Sequence, residues 1–184
     1  MRKLILIGAS TGGPSQIKFL IKDLKLHNAT IVIAQHMQAN FISSYANQLN
    51  TECESEVVLL DNGCFLEDKK IYICQHNTEL FLNLRAGFNK GIFPFCPNVN
   101  LLFESASKIC KDYNTMAILL TGIGDDGAKG LYELYKKGVK CIGESEKSCV
   151  VYGMPKRAFE LNNKLKQLDL EDIKKELELF ISKD

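Results

Sequence analysis

Three residue types that together perform acyl transfer each follow an apolar run in this sequence. Ser10 lies in Gly8-Ala9-Ser10-Thr11-Gly12-Gly13, after Leu4-Ile5-Leu6-Ile7. His36 lies in Gln35-His36-Met37, after Ala29-Thr30-Ile31-Val32-Ile33-Ala34. Asp126 closes Thr121-Gly122-Ile123-Gly124-Asp125-Asp126, after Thr115-Met116-Ala117-Ile118-Leu119-Leu120. In such a set the imidazole takes the hydroxyl proton and later returns one to the leaving group. The carboxylate holds the imidazole in one tautomer and supports its charged form. Gly12 and Gly13 leave backbone N–H groups uncovered at a helix start, where an anion is stabilised. Gly122 and Gly124 flank Ile123 in the same manner. Donors so placed could face a tetrahedral oxyanion, and one good donor is worth roughly 3–4 kcal/mol in kcat.

Each feature alone has a plainer reading. Ser10 or Thr11 serves equally well as a helix N-cap, His36 as a structural histidine at a strand end, and Asp125 or Asp126 as a cap. The glycine turn could also cradle a phosphate. It lacks the Gly-x-Gly-x-x-Gly spacing and the Walker lysine, so a nucleotide- or phosphate-binding module stands as the alternative. Position joins the three. Leu4 to Ile7 reads as a buried strand, and Pro14 suits a first helical position. Ile17, Leu20, Ile21 and Leu24 follow at helical spacing, and Asn28 ends that helix. Ala29 to Ala34 is the next strand. A strand–helix–strand unit runs its two strands in parallel, so Ser10 and His36 share one sheet edge. Asp126 joins them there, because ligands of doubly wound sheets bind at the carboxyl ends of the strands.

The remaining elements read as follows. Residues 40–50 are helical, with Phe41, Tyr45 and Leu49 on one face. Residues 56–60 form a strand and 61–70 a loop. Residues 70–74 and 79–84 are short strands that could pair as a hairpin. Residues 85–98, with Gly87, Gly91, Pro94 and Pro97, should be irregular. A helix from Val99 to about Lys111 has Asn98 as its cap. Helix 128–137, a strand near 139–142, a short helix after Pro155 and an amphipathic helix over 169–182 complete the chain.

At 184 residues, 46% hydrophobic and 24% charged, the chain is long enough to bury a sizeable core. The net charge is +1 and no segment concentrates Lys or Arg, which sets nucleic acid aside. The seven cysteines form no C-x-x-C pair, and the three histidines lack zinc-motif spacing, so free thiols and no metal or cofactor are expected. Cys74 and Cys96 fall in loops near the expected cleft; His27 and His76 are read as non-catalytic. The apolar run after Met1-Arg2-Lys3 is too short for a signal peptide, and no stretch approaches a transmembrane length.

Gly8 to Pro14, Gln35-His36-Met37, Leu120 to Ala128 and Ser148-Cys149-Val150-Val151-Tyr152-Gly153-Met154-Pro155 together resemble the catalytic domain of chemotaxis protein-glutamate methylesterases, from about residue 4 to 160. The resemblance implies a three-layer α/β/α, mostly parallel sheet. It implies hydrolysis of glutamate γ-methyl esters on the cytoplasmic helical bundle of methyl-accepting chemotaxis receptors, with release of methanol, and often deamidation of receptor glutamines. Ser10 then matches the nucleophile, His36 the general base and Asp126 the orienting acid. Thr11, Gly12 and Ile123 support the oxyanion site, and Asp125 is not catalytic. The resemblance also implies a cytoplasmic protein without membrane insertion. Relatives of this kind carry a receiver domain ahead of the catalytic one; here residues 1–184 are expected to be the catalytic domain alone. They also carry a Pro-Gly loop where this chain has Gln75-His76, and a basic residue where it has Cys96. A receptor-array component without turnover is a further alternative.

Overall fold

The apolar runs are strands of a single parallel sheet. The computed structural model describes residues 1–183. In chain order the elements are β1 (Lys3–Ala9), α1 (Gly13–Ile21), β2 (Ala29–Gln35), α2 (Ala39–Glu52), β3 (Glu56–Leu59), β4 (Lys70–Ile73), β5 (Thr78–Phe81) and β6 (Arg85–Phe88). They continue with α3 (Val99–Ser107), β7 (Asn114–Leu119), α4 (Ala128–Lys136), β8 (Lys140–Glu144), α5 (Met154–Leu161), β9 (Lys166–Leu168) and α6 (Leu170–Ser182). The sheet order is β3-β4-β2-β1-β7-β8-β9, and every pairing is parallel. From β1 the chain fills one side with β2, β3 and β4, β4 lying between β2 and β3, and then the other with β7, β8 and β9. The order therefore switches between β1 and β7, where open sheets of this kind form their crevice.

Strand alternation divides the core. Leu4 and Leu6 pack with Leu102 and Phe103 of α3, Leu131 of α4 and Ala158 of α5. Ile5 and Ile7 pack with Ile17 and Leu20 of α1, Ile42 of α2 and Leu177 of α6. Both faces of the central strands are buried, which is why these segments read as continuous apolar runs. Each fully buried Leu or Ile contributes about 1.5–3 kcal/mol.

Four local expectations need correction. The first helix ends at Ile21, not Asn28. Ser55 supplies the reason: its hydroxyl donates to Leu24 O at 2.7 Å and accepts from Leu26 N–H at 3.1 Å. Residues 24–26 thus satisfy their backbone outside a helix while Leu24 and Leu26 stay buried. In α2 the buried face is Ile42, Ala46 and Leu49, and Phe41 is 58% exposed. The strand at 70–74 does not pair with the next one. It lies in the main sheet between β2 and β3, and β5 pairs antiparallel with β6, inside the stretch read as irregular. Asn83, at φ 60, makes the tight connection, a conformation asparagine tolerates better than most residues. Helix α3 stops at Ser107, short of Lys111, and a single 3-10 turn follows at Cys110–Asp112. Strand β9, the three residues Lys-Gln-Leu, is too short to show alternation.

Helix α6 is tied to the β8–β9 edge by Glu176, which pairs with Lys140 and, at 2.6 Å, with Lys166. These ammonium groups lower its carboxyl from 4.5 to about 2. A depressed carboxylate stabilises the fold above its ordinary value and loses that contribution as pH falls through the folded one. The melting-temperature gap between wild type and Glu176→Gln is therefore expected to be constant above pH 4.5 and to close towards pH 2. A gap that does not vary over that range would contradict the pairing.

Candidate active site

Ser10 is the first residue beyond β1, and His36 the first beyond β2. Their backbones are joined twice. His36 N–H donates to Ala9 O at 3.0 Å, and the Gln35 side-chain amide donates to both Ser10 O and His36 O at 2.9 Å. Gln35 is buried and stitches the two strand ends together. Ser10 N–H donates to Thr121 O at 2.9 Å, which draws in the loop after β7.

Asp126, 2% exposed, lies in that loop. Its Oδ2 accepts from His36 Nε2 at 2.6 Å and from Val99 N–H at 2.8 Å, and its Oδ1 accepts from Asn100 N–H at 2.8 Å. The carboxylate thus sits on the positive end of α3. Asn98 caps this helix as expected, accepting from Leu101 N–H at 2.8 Å. Asp125 is exposed, so burial separates the two adjacent acids. A carboxylate only accepts, so Nε2 of His36 carries a proton, and in the neutral ring Nδ1 presents a lone pair. Nδ1 is buried and has no hydrogen-bond partner among the described residues. No hydrogen bond joins Ser10 Oγ to Nδ1 among the described residues.

A second network sets the surrounding loops. Glu144, fully buried at the end of β8, accepts from Thr121 N–H, Gln16 Nε2 and Ser148 Oγ, each at 2.8 Å. Thr121 Oγ1 donates to Thr11 O at 2.9 Å and accepts from Val151 N–H at 2.8 Å. The turns bearing Thr11 and Ile123 are both fastened through Thr121. The backbone N–H groups of Thr11 and Ile123 donate to no acceptor among the described residues. Gly12, at φ +84, turns the chain into α1 in a conformation that disfavours side chains.

Gly122 is required by close approach. A Cβ there would lie 2.3 Å from Met154 Sδ and 2.6 Å from Ser10 Cβ. The thioether can swing aside, but Ser10 Cβ moves only with its backbone. Gly122→Ala is expected to cost about 1–3 kcal/mol of stability and about 100-fold in kcat through displacement of Ser10. Thermal melts and steady-state kinetics on one preparation check both. Unchanged kcat in a folded variant would show that Ser10 tolerates the shift.

Beside His36 opens a cleft of about 440 Å³, lined by Met37, Gln38, Gln75, His76, Phe95 and Cys96 among others, with no Lys, Arg, Asp or Glu. His76 closes its wall and packs edge-on against Phe88. Cys96 is exposed there, whereas Cys74 is buried, and burial pushes its thiol up to about 12. The Phe95 ring stacks on the His36 ring, centroids 4.6 Å apart and planes within 6°. The sequence pattern carries no signal for Phe95, and it assigned no role to Gln35, Thr121 or Glu144. For the last three the available sign was a polar residue at the end of an apolar strand.

A doubly wound parallel sheet with a serine, and a histidine held by an aspartate, across its switch point defines an α/β protein with a hydroxyl–imidazole–carboxylate constellation. The family model described as CheB methylesterase matches residues 5–177. The crystal structure of the Thermotoga maritima CheB methylesterase catalytic domain superposes with a TM-score of 0.86 at 30% identity, covering 98% of this chain and 100% of that one. A protein-glutamate methylesterase/protein-glutamine glutaminase 2 from Syntrophomonas wolfei is 38% identical over an alignment of 174 positions, gaps included, that covers 91% of this chain and 51% of that protein. The protein-glutamate methylesterase/protein-glutamine glutaminase of Salmonella typhi is 34% identical over an alignment of 188 positions, gaps included, that covers 98% of this chain and 53% of that protein. The chain belongs to the CheB methylesterase family. It spans about half the length of the curated relatives it matches.

Proposed function

We propose that this chain hydrolyses glutamate γ-methyl esters on methyl-accepting chemotaxis receptors, releasing methanol, and converts receptor glutamines to glutamate with release of ammonia. The names of its relatives support the reaction. The observation that carries the mechanism is His36, bound to Asp126 through Nε2 at 2.6 Å and holding a buried, unpartnered Nδ1.

Ser10 Oγ attacks the ester carbonyl carbon while His36 Nδ1 takes its proton. The carbonyl oxygen becomes an oxyanion, stabilised by the free N–H groups of Thr11 and Ile123 on the turns shaped by Gly12 and Gly122. Asp126 Oδ2 accepts the Nε2–H bond and supports the imidazolium. The proton on Nδ1 passes to the departing methoxy oxygen, and methanol leaves an acyl-enzyme on Ser10. Water then attacks, gives its proton to His36, and collapse frees glutamate and the serine hydroxyl. An amide follows the same course, more slowly, because its poorer leaving group needs the His36 proton more.

The cleft beside His36 carries no Lys, Arg, Asp or Glu, which suits a neutral ester or carboxamide side chain. Its substrate is the cytoplasmic helical bundle of the receptors, and the protein acts in the cytoplasm. Among the described residues no helix is long and apolar enough to cross a membrane. Incubating the purified chain with methylated receptor signalling fragments and measuring methanol tests the assignment. Methanol release in proportion to enzyme supports it; none from any methylated receptor of the same cell would overturn it.

A further inference from the structure

We propose that Phe95 is a positioning residue for His36, holding the imidazole plane through proton transfer. The inference rests on the acyl-transfer reading of this site. Nε2 of His36 bonds Asp126 Oδ2, and Nδ1 is unpartnered among the described residues. One hydrogen bond fixes one edge of an imidazole and leaves its plane free to rock about that edge. Phe95 limits this freedom by covering one ring face at 4.6 Å and 6°. A face contact leaves both nitrogen edges clear, so Nε2 keeps Asp126 and Nδ1 carries no hydrogen bond among the described residues.

The same short segment positions the other partner. Five residues after Phe95, Asn100 N–H holds Asp126 Oδ1, and Val99 N–H holds Oδ2. Asn98, between them, is buried and anchored by its own N–H on Asn77 Oδ1 at 2.9 Å. A single strap, 95–100, thus sets both members of the His–Asp pair. The aromatic face also attracts a cation. His36 becomes cationic only as the serine proton moves, so the stack strengthens towards the transition state and acts on kcat, not on substrate binding.

Steady-state kinetics on a methylated receptor fragment separate this role from that of a cleft wall. Phe95→Leu keeps apolar bulk without the flat face, and its kcat should fall about 10-fold. Phe95→Ala, which frees the ring, should lose about 100-fold. KM should stay within about 3-fold in both, and Phe95→Tyr should restore kcat to within about 2-fold, since it keeps the face. Labelling of Ser10 by a small fluorophosphonate needs His36 but no docked receptor, so its rate should fall in parallel with kcat. Higher KM with unchanged kcat and labelling would overturn the proposal and make Phe95 a cleft wall. Wild-type kcat in Phe95→Leu would do the same, and that variant carries the test if Phe95→Ala does not fold. Labelling that persists in Ser10→Ala would instead overturn the acyl-transfer reading beneath it.

Discussion

Ser10→Ala should release methanol about 10⁵–10⁶-fold more slowly than wild type, a loss of about 7–8 kcal/mol in transition-state stabilisation. The hydroxyl is the atom that becomes covalently bonded, so its loss removes the reaction path itself. Substrate docking does not depend on it, and KM should change by no more than about 3-fold. The fold should be indifferent too. The site's backbone ties run through Ser10 N–H and Ser10 O, which alanine retains, and Nδ1 of His36 holds no bond to lose. A residual rate above background is expected from the oxyanion donors alone, about 10³–10⁴-fold over water. Wild-type turnover in Ser10→Ala would end the nucleophile assignment.

Asp126→Asn should lower kcat by about 10⁴-fold, about 5.5 kcal/mol, with KM little altered. The reason is specific to this site. Oδ2 accepts from His36 Nε2 and Val99 N–H, and Oδ1 from Asn100 N–H, so all three neighbours are donors. A carboxamide must turn its NH₂ towards one side or the other. Facing His36, it forces Nε2 to accept and places the ring proton on Nδ1, which then cannot take the serine proton. It then also opposes Val99 N–H, whereas facing Asn100 it opposes that N–H instead, so either orientation leaves a backbone N–H unsatisfied, at about 1–3 kcal/mol of stability. Steady-state kinetics test the change of tautomer, and a thermal melt tests the lost backbone bond. Near-wild-type kcat would show that the negative charge of Asp126 is not needed for turnover. Asp125→Asn is the control, since that side chain is exposed.

That Ser10, His36 and Asp126 share one sheet edge was legible because each follows a strand buried on both faces, and such strands announce themselves by unbroken apolar runs. Parallel connection then places their ends on one edge without further information. Asn98 as the α3 cap was legible from residue type. That Asp126 would occupy the start of the same helix was not, because a cap describes its own turn and not what docks against it. Phe95 was hidden for a related reason. It lies in a Pro- and Gly-rich stretch with no period, and its partner is 59 positions away at His36. Ser55 shows the same limit in the fold. Leu24 and Leu26 keep apolar spacing, and only a hydroxyl 29 residues on decides that their backbone is not helical. The hairpin was anticipated but assigned to the wrong strands. The apolar Lys70–Ile73 strand found a better place between β2 and β3, and the less apolar Arg85–Phe88 took the hairpin position.

The central claim is that Ser10 is the nucleophile and forms an acyl-enzyme with His36 as base. Acid-quenching the enzyme during turnover of a slowly deacylating activated ester, followed by peptide mass spectrometry, tests it most directly. An acyl group on the peptide carrying Ser10 in wild type, and none within the same interval in His36→Ala, is the predicted result. Turnover with Ser10 unmodified, or an acyl group on Cys96 at the cleft mouth instead, would contradict it.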